Sequence, residues 1–168
     1  MKLRKLQAKD AKGMLSWMHD DSINQVFLTD FKSFDEKKVS DFIEASQTDG
    51  EQINRACVND ADEYLGTVSL KHINLLDKNA EYAISLCKKA HGKGVAKFAT
   101  NQILKIAFQE LGLERVYLNV LTKNERANSF YKKYGFVLEG TFKNHVSVDG
   151  ILCDLTWYRM LKKEYEEH

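Results

Sequence analysis

The stretch Lys88-Lys89-Ala90-His91-Gly92-Lys93-Gly94-Val95-Ala96-Lys97 constrains this chain more than any other. A glycine bend opens there directly into a long amphipathic helix, and every charged side chain around it is positive. The first-turn N–H groups of a helix lack an internal partner, and the helix dipole adds about half a positive charge at the same end, so a phosphate is the natural guest. No Asp or Glu occurs between Glu81 and Glu110, although 25 Lys and Arg nearly balance 24 acids over the chain. Lys88, Lys89, Lys93, Lys97 and Lys105 therefore form a local positive field.

What such a site belongs to is bounded by length and charge. A chain of 168 residues reads as one domain, residues 1–168, large enough to bury a full core. Net charge of +1 gives no reason to expect a nucleic-acid or membrane partner, which leaves small molecules. No long apolar run or secretory segment occurs, and Met1-Lys2-Leu3-Arg4-Lys5-Leu6 simply alternates. Cys57, Cys87 and Cys153 are odd in number and lack a CxxC pair, which fits reduced thiols in a cytoplasm and gives no metal site.

Along the chain, Lys2 to Leu6 reads as a strand, and Asp10 is placed to cap a helix over Ala11 to Met18, with a second short helix after Ser22. Ser33-Phe34-Asp35-Glu36 has capping-box spacing before a helix that puts Val39, Phe42 and Ile43 on one face. Gln52 to Val58, Tyr64 to His72 and Ala80 to Cys87 then change to β-branched and aromatic composition between polar turns. After the glycine bend, Val95 to Leu111 is helical and stops at Gly112; Arg115 to Leu121 is a strand, and Asn124 to Tyr134 a helix ending in Gly135. Two further strands flank Asp149-Gly150, a hairpin pair. This order predicts an α+β domain: a mixed, mostly antiparallel twisted sheet flanked by helices, with one parallel contact in its middle.

Commoner phosphate loops fail on residues. The GxxxxGK-Ser/Thr pattern is absent, and Lys97 sits where a dinucleotide fold wants its third glycine. What remains is a strand, a basic glycine turn and a helix, followed by Asn124-Glu125-Arg126-Ala127-Asn128-Ser129-Phe130-Tyr131-Lys132-Lys133-Tyr134-Gly135-Phe136. On these two motifs the chain resembles the GNAT superfamily of acetyl-CoA-dependent N-acetyltransferases. The family's pyrophosphate loop reads Arg/Gln-x-x-Gly-x-Gly/Ala and its later helix Asn-x-x-Ala-x-x-x-Tyr before Gly-Phe. Gly94 and Ala96 fill the small positions, while His91 stands where the family has Arg or Gln.

The resemblance implies the GNAT fold and acetyl-CoA as cosubstrate, without a metal. Backbone amides of Gly92, Lys93, Gly94, Val95, Ala96 and Lys97 would serve the diphosphate, with His91 able to donate a hydrogen bond. Asn124, Asn128 and Tyr131 fall at i, i+4 and i+7 on one helical stripe. The resemblance gives Asn124 the pantetheine arm and points Tyr131 at the sulfur, whose departing thiolate it can protonate; a phenol of pKa ~10 still carries its proton at neutral pH and can give it to a developing thiolate. Backbone groups of Ile84, Ser85 and Leu86 would pair with the pantetheine amides as an added strand does. Glu81 is the candidate base for the acceptor amine, and His72 on the neighbouring strand titrates in a suitable range.

Acceptor choice in this superfamily lies in the N-terminal helices and the C-terminal hairpin. Trp17-Met18-His19-Asp20-Asp21-Ser22-Ile23-Asn24-Gln25 resembles the corresponding stretch of acetyltransferases acting on nucleotide-linked amino sugars, which would turn Trp17 and His19 towards such a sugar. The hairpin is shared in outline with acetyltransferases of ribosomal-protein N-termini and of polyamines, so both acceptor classes stay open, as does a non-catalytic CoA-binding module. Family habit is compatible with a homodimer, and the oligomeric state stays open.

Overall fold

The computed structural model describes residues 1–167; His168, the last residue of the expected domain, lies outside the described residues. Alternating apolar and polar residues give seven strands in one sheet: β1 (Lys2–Arg4), β2 (Ile53–Val58), β3 (Tyr64–Asn74), β4 (Asn79–Leu86), β5 (Arg115–Leu121), β6 (Val137–Val148) and β7 (Ile151–Leu161). They lie in the order β1-β2-β3-β4-β5-β7-β6, and every neighbouring pair is antiparallel except β4 with β5. The sequence expectation of one parallel contact in mid-sheet is met at that pair. Asp149 (φ 50°) and Gly150 (φ 77°) make the turn between β6 and β7, the left-handed backbone that such a tight hairpin needs.

Helices cover both faces: α1 (Ala11–Met18), α2 (Asp21–Asn24), α3 (Glu36–Ala45), α4 (Val95–Lys105), α5 (Glu125–Tyr134) and α6 (Lys162–Glu166). α4 places Val95, Ala99, Ile103 and Leu104 on one face, and they pack into a core with Val68, Leu70, Ala80, Val116 and Leu118 of the sheet. Each of the Val, Leu and Ile side chains among them stabilises the fold by about 1.5–3 kcal/mol on leaving water. Past Lys105 the helix widens into a π-type turn, Ile106–Glu110, before the chain reverses near Gly112 (φ 65°). A second core holds Leu6, Met14, Trp17, Met18, Val39 and Ile43 beneath α1 and α3. No helix among the described residues is long and apolar enough to cross a membrane.

Two expected caps are different in the structure. Asp10 does not cap α1: it is buried, its carboxylate accepts from Arg4 at 2.7 and 2.9 Å and from the Gln7 N–H at 2.8 Å, so a local ion pair has claimed it. Ser33 does not cap α3 either; Asp35 does, accepting from the Lys38 N–H at 2.8 Å, while the Ser33 hydroxyl donates to the Asp30 carbonyl at 2.9 Å. A carboxylate three residues ahead of a free amide is the better acceptor there.

Candidate active site

The parallel pair is short. β4 and β5 are in register at Asn79–Arg115, Ala80–Val116 and Glu81–Tyr117, and there the ladder ends. β4 continues to Leu86 with β3 on its other side, and β5 continues to Leu121 against β7. From Tyr82 to Leu86 the β5-facing edge of β4 thus carries no strand partner, and an open cleft of about 1710 Å³ runs along the fork. Ile84, Ser85 and Leu86 all line it, half-exposed. β3 comes very close at this point: a Cβ on Gly66 would stand 2.4 Å from the Ser85 carbonyl oxygen.

β4 leads through Cys87 and a single 3-10 turn (Lys88–Ala90) into the glycine bend, where Gly92 and Gly94 both have φ 75°. Only glycine adopts that backbone without strain. Among the described residues, no hydrogen bond takes the amide hydrogens of Gly92, Lys93, Gly94, Val95, Ala96 or Lys97; the first helical amide with a partner is that of Phe98, to Gly94 O at 3.0 Å. His91, Gly92, Gly94, Val95, Ala96 and Lys97 line the cleft. The side chain of Lys93 is not on it, nor are those of Lys88 and Lys89, so the expected lysine field narrows to Lys97 and Lys105, joined by Arg126 and Lys133 from α5.

Across the cleft stands α5. Asn124 caps it, its side-chain oxygen accepting from the Ala127 N–H at 3.2 Å, and also lines the cleft. Asn128 does not. Its amide donates to Leu121 O (3.1 Å) and Asn124 O (2.8 Å), and its oxygen accepts from the Tyr158 hydroxyl (2.8 Å). With those bonds it ties the end of β5 to α5 and β7, and the expected cofactor contact is corrected to a structural one. Tyr131 is 7% exposed, lines the cleft, and packs edge-on to Tyr82 and Phe136. Burial pushes its phenol well above the ordinary range, so the proton stays on the oxygen.

Glu81 sits at the point of the fork, half-buried on the cleft, and accepts from the Asn119 amide at 3.3 Å. Lys71 is its neighbour on β3, and His72 Nε2 lies 3.6 Å from its second oxygen. His72 itself is exposed and does not line the cleft. Nearby Tyr117 has its phenol raised, by burial first and by the Glu81 charge second.

Trp17 and His19 are turned away. Trp17 is 2% exposed in the second core, against Phe27 and Phe31, with its indole N–H donating to the Tyr64 hydroxyl at 3.3 Å. His19 Nε2 is 2.8 Å from the Phe34 carbonyl. Trp17 serves packing, His19 is exposed and bonded to a backbone carbonyl, and neither borders the cleft. The neighbouring segment does instead, through Val26, Phe27, Leu28 and Phe31. Sequence reasoning missed that apolar wall, Asn119 and Arg126; the last carries a signal, a cation on the first turn of a helix, where the dipole disfavours it.

Residues 1–137 match the family model of the acetyltransferase (GNAT) domain. The chain belongs to the GNAT acetyltransferase family. It is 32% identical over 101 residues, 60% of its length, to the putative ribosomal N-acetyltransferase YdaF of Bacillus subtilis, and 33% identical over 112 residues, 66% of its length, to spermidine N(1)-acetyltransferase of Vibrio cholerae. These matches span 55% and 65% of the two relatives' own lengths. The GNAT fold is shared with the crystal structure of spermidine N-acetyltransferase from Vibrio cholerae in complex with CoA and spermine: TM-score 0.89, 23% identity, covering 98% of this chain and 97% of that one. These relatives lend the nucleotide-linked amino sugar no support, and the two side chains on which that acceptor rested lie off the cleft, Trp17 buried and His19 exposed.

Proposed function

We propose that this chain transfers an acetyl group from acetyl-CoA to a primary amine, the amine attacking directly. The observation that carries this reading is the fork, an unpaired strand edge running straight into a turn of free backbone amides. When bound, acetyl-CoA supplies an activated acyl thioester. The edge of Tyr82 to Leu86 offers N–H and C=O groups at strand spacing to the pantetheine amides, and the amides of Gly92 to Lys97 meet the diphosphate. An N–H of that edge also stabilises charge growing on the thioester carbonyl. Asn124, whose side-chain NH₂ no other group takes among the described residues, completes the arm's hydrogen bonds.

Glu81 takes the proton that the acceptor amine must lose, directly or through water. As the N–C bond forms the C–S bond breaks; Tyr131 donates a hydrogen bond to the departing sulfur and can pass its proton to the thiolate, regaining one from water. Holding the amine and acyl carbon in line contributes several kcal/mol by itself, about 7 or more in favourable cases. Neither side chain therefore carries the whole acceleration.

For the acceptor, the spermidine acetyltransferase relative supports a polyamine. A second reading has its own observation: Val26, Phe27, Leu28 and Phe31 wall the cleft, and among the described residues Glu81 and Glu166 are its only acids, the first with Lys71 beside it. That lining fits an amine attached to apolar groups, such as a peptide N-terminus, better than a polycation. Free-thiol release from acetyl-CoA with spermidine, spermine and peptides of varied first residue separates the two. Binding of acetyl-CoA without thiol release for any of them would instead mark a non-catalytic CoA-binding module.

A further inference from the structure

At the position where the motif leads one to expect a side-chain cation stands His91, and Lys88, Lys89 and Lys93 lie off the cleft, which Lys97 of α4 does line. The cation comes from elsewhere in the fold. Arg126, 35 residues further along the chain, reaches across from the first turn of α5, and its Nη1 lies 2.8 Å from His91 Nδ1. A guanidinium can only donate, so His91 accepts at Nδ1 and carries its hydrogen on Nε2. Burial first, then the Arg126 charge, lowers the His91 pKa and favours that neutral form.

Arg126 has no carboxylate partner among the described residues; Asp20, the acid that His91 senses, is occupied by the Ser22 amide and hydroxyl at 2.9 and 2.6 Å. One N–H of its fork goes to His91, and no hydrogen bond among the described residues takes its other donors. Both residues line the cleft. A cation on a first helical turn opposes the dipole, so Arg126 does nothing for α5 that another residue would not do better.

Resting on the function proposed above, we propose that Arg126 is the side chain that grips the CoA diphosphate, and that His91 is a positioning residue that holds the guanidinium over the glycine turn. The planar fork suits two phosphate oxygens, and the neutral imidazole fixes its tilt.

Calorimetry on the full chain tests this with three probes: acetyl-CoA, its 3′-dephospho form, and acetyl-pantetheine, which has no phosphate. Arg126→Gln should weaken the first two equally, by about ten- to a hundred-fold, and leave the third unchanged. Arg126→Lys should recover part of the loss. His91→Ala should weaken acetyl-CoA a few-fold, and His91→Gln, whose amide oxygen can accept from Arg126, should restore it. Arg126 is exposed, so melting temperatures of the variants should match the parent. Equal binding by parent and Arg126→Gln overturns the proposal, and so does a loss that disappears with the dephospho probe, since the guanidinium then meets the 3′-phosphate. A parent that binds acetyl-pantetheine but gains nothing from phosphates overturns it too, whereas a parent that binds none of the three sinks the proposed function along with it.

Discussion

The glycine turn and the fork of β4 and β5 lie on one cleft but are made of different material. The turn is built from main chain: glycines at φ 75° and a run of amides without partners. At the fork the proposed working groups are side chains, Glu81 beside Asn119 and Tyr131 among Tyr82, Phe136 and Tyr158. Main-chain recognition depends on conformation and tolerates exchange of side chains; side-chain chemistry depends on identity and on the packing that holds each group. The first region should govern affinity for the cosubstrate, and the second the rate of transfer.

The harshest test of this division changes one hydrogen into a methyl group. Gly66→Ala would drive a Cβ against the Ser85 carbonyl oxygen and the Leu86 backbone, so β4 must move; we expect a stability loss of about 3 kcal/mol and weaker acetyl-CoA binding, read by thermal unfolding and calorimetry. Next, Glu81→Gln should lower kcat about a hundred-fold, ~2.7 kcal/mol, with acetyl-CoA affinity unchanged. Tyr131→Phe should cost about ten- to a hundred-fold in kcat, again without loss of affinity; an unaltered kcat under conditions where chemistry limits would remove the tyrosine from the mechanism. Smallest is Asn128→Ala, expected to cost about 1–2 kcal/mol of stability through its lost bonds to Leu121, Asn124 and Tyr158 while binding and turnover persist. A large affinity defect in that variant would return Asn128 to the ligand.

The same division explains what the sequence could reveal. Strand alternation, Gly135 closing α5, and Asp149-Gly150 turning the last hairpin are local properties of the chain, and the sheet with its single parallel contact follows from them. The glycine turn is readable for the same reason. Trp17, His19 and Asn128 are not decided by sequence, because an aromatic, imidazole or amide side chain has the same chemistry whether it faces a ligand or its own fold. What decides is the tertiary neighbour: Tyr64 for Trp17, the Phe34 carbonyl for His19, the end of β5 for Asn128. Arg126 escaped for the opposite reason, since its partner stands on another element and no spacing along the chain announces it.

The fork also has a consequence for how long the protein lasts. Among the described residues, three residue pairs of parallel ladder are all the direct strand pairing between the two halves of the sheet, so the native state stops short of the hydrogen bonding its own backbone could make. Whatever occupies the fork becomes, while it stays, part of the folded framework. A hundred-fold excess of occupant over its dissociation constant adds about 2.7 kcal/mol against unfolding. Deuterium uptake at residues 82–86 should slow accordingly, and resistance to proteolysis should rise and fall with the supply of acetyl donor.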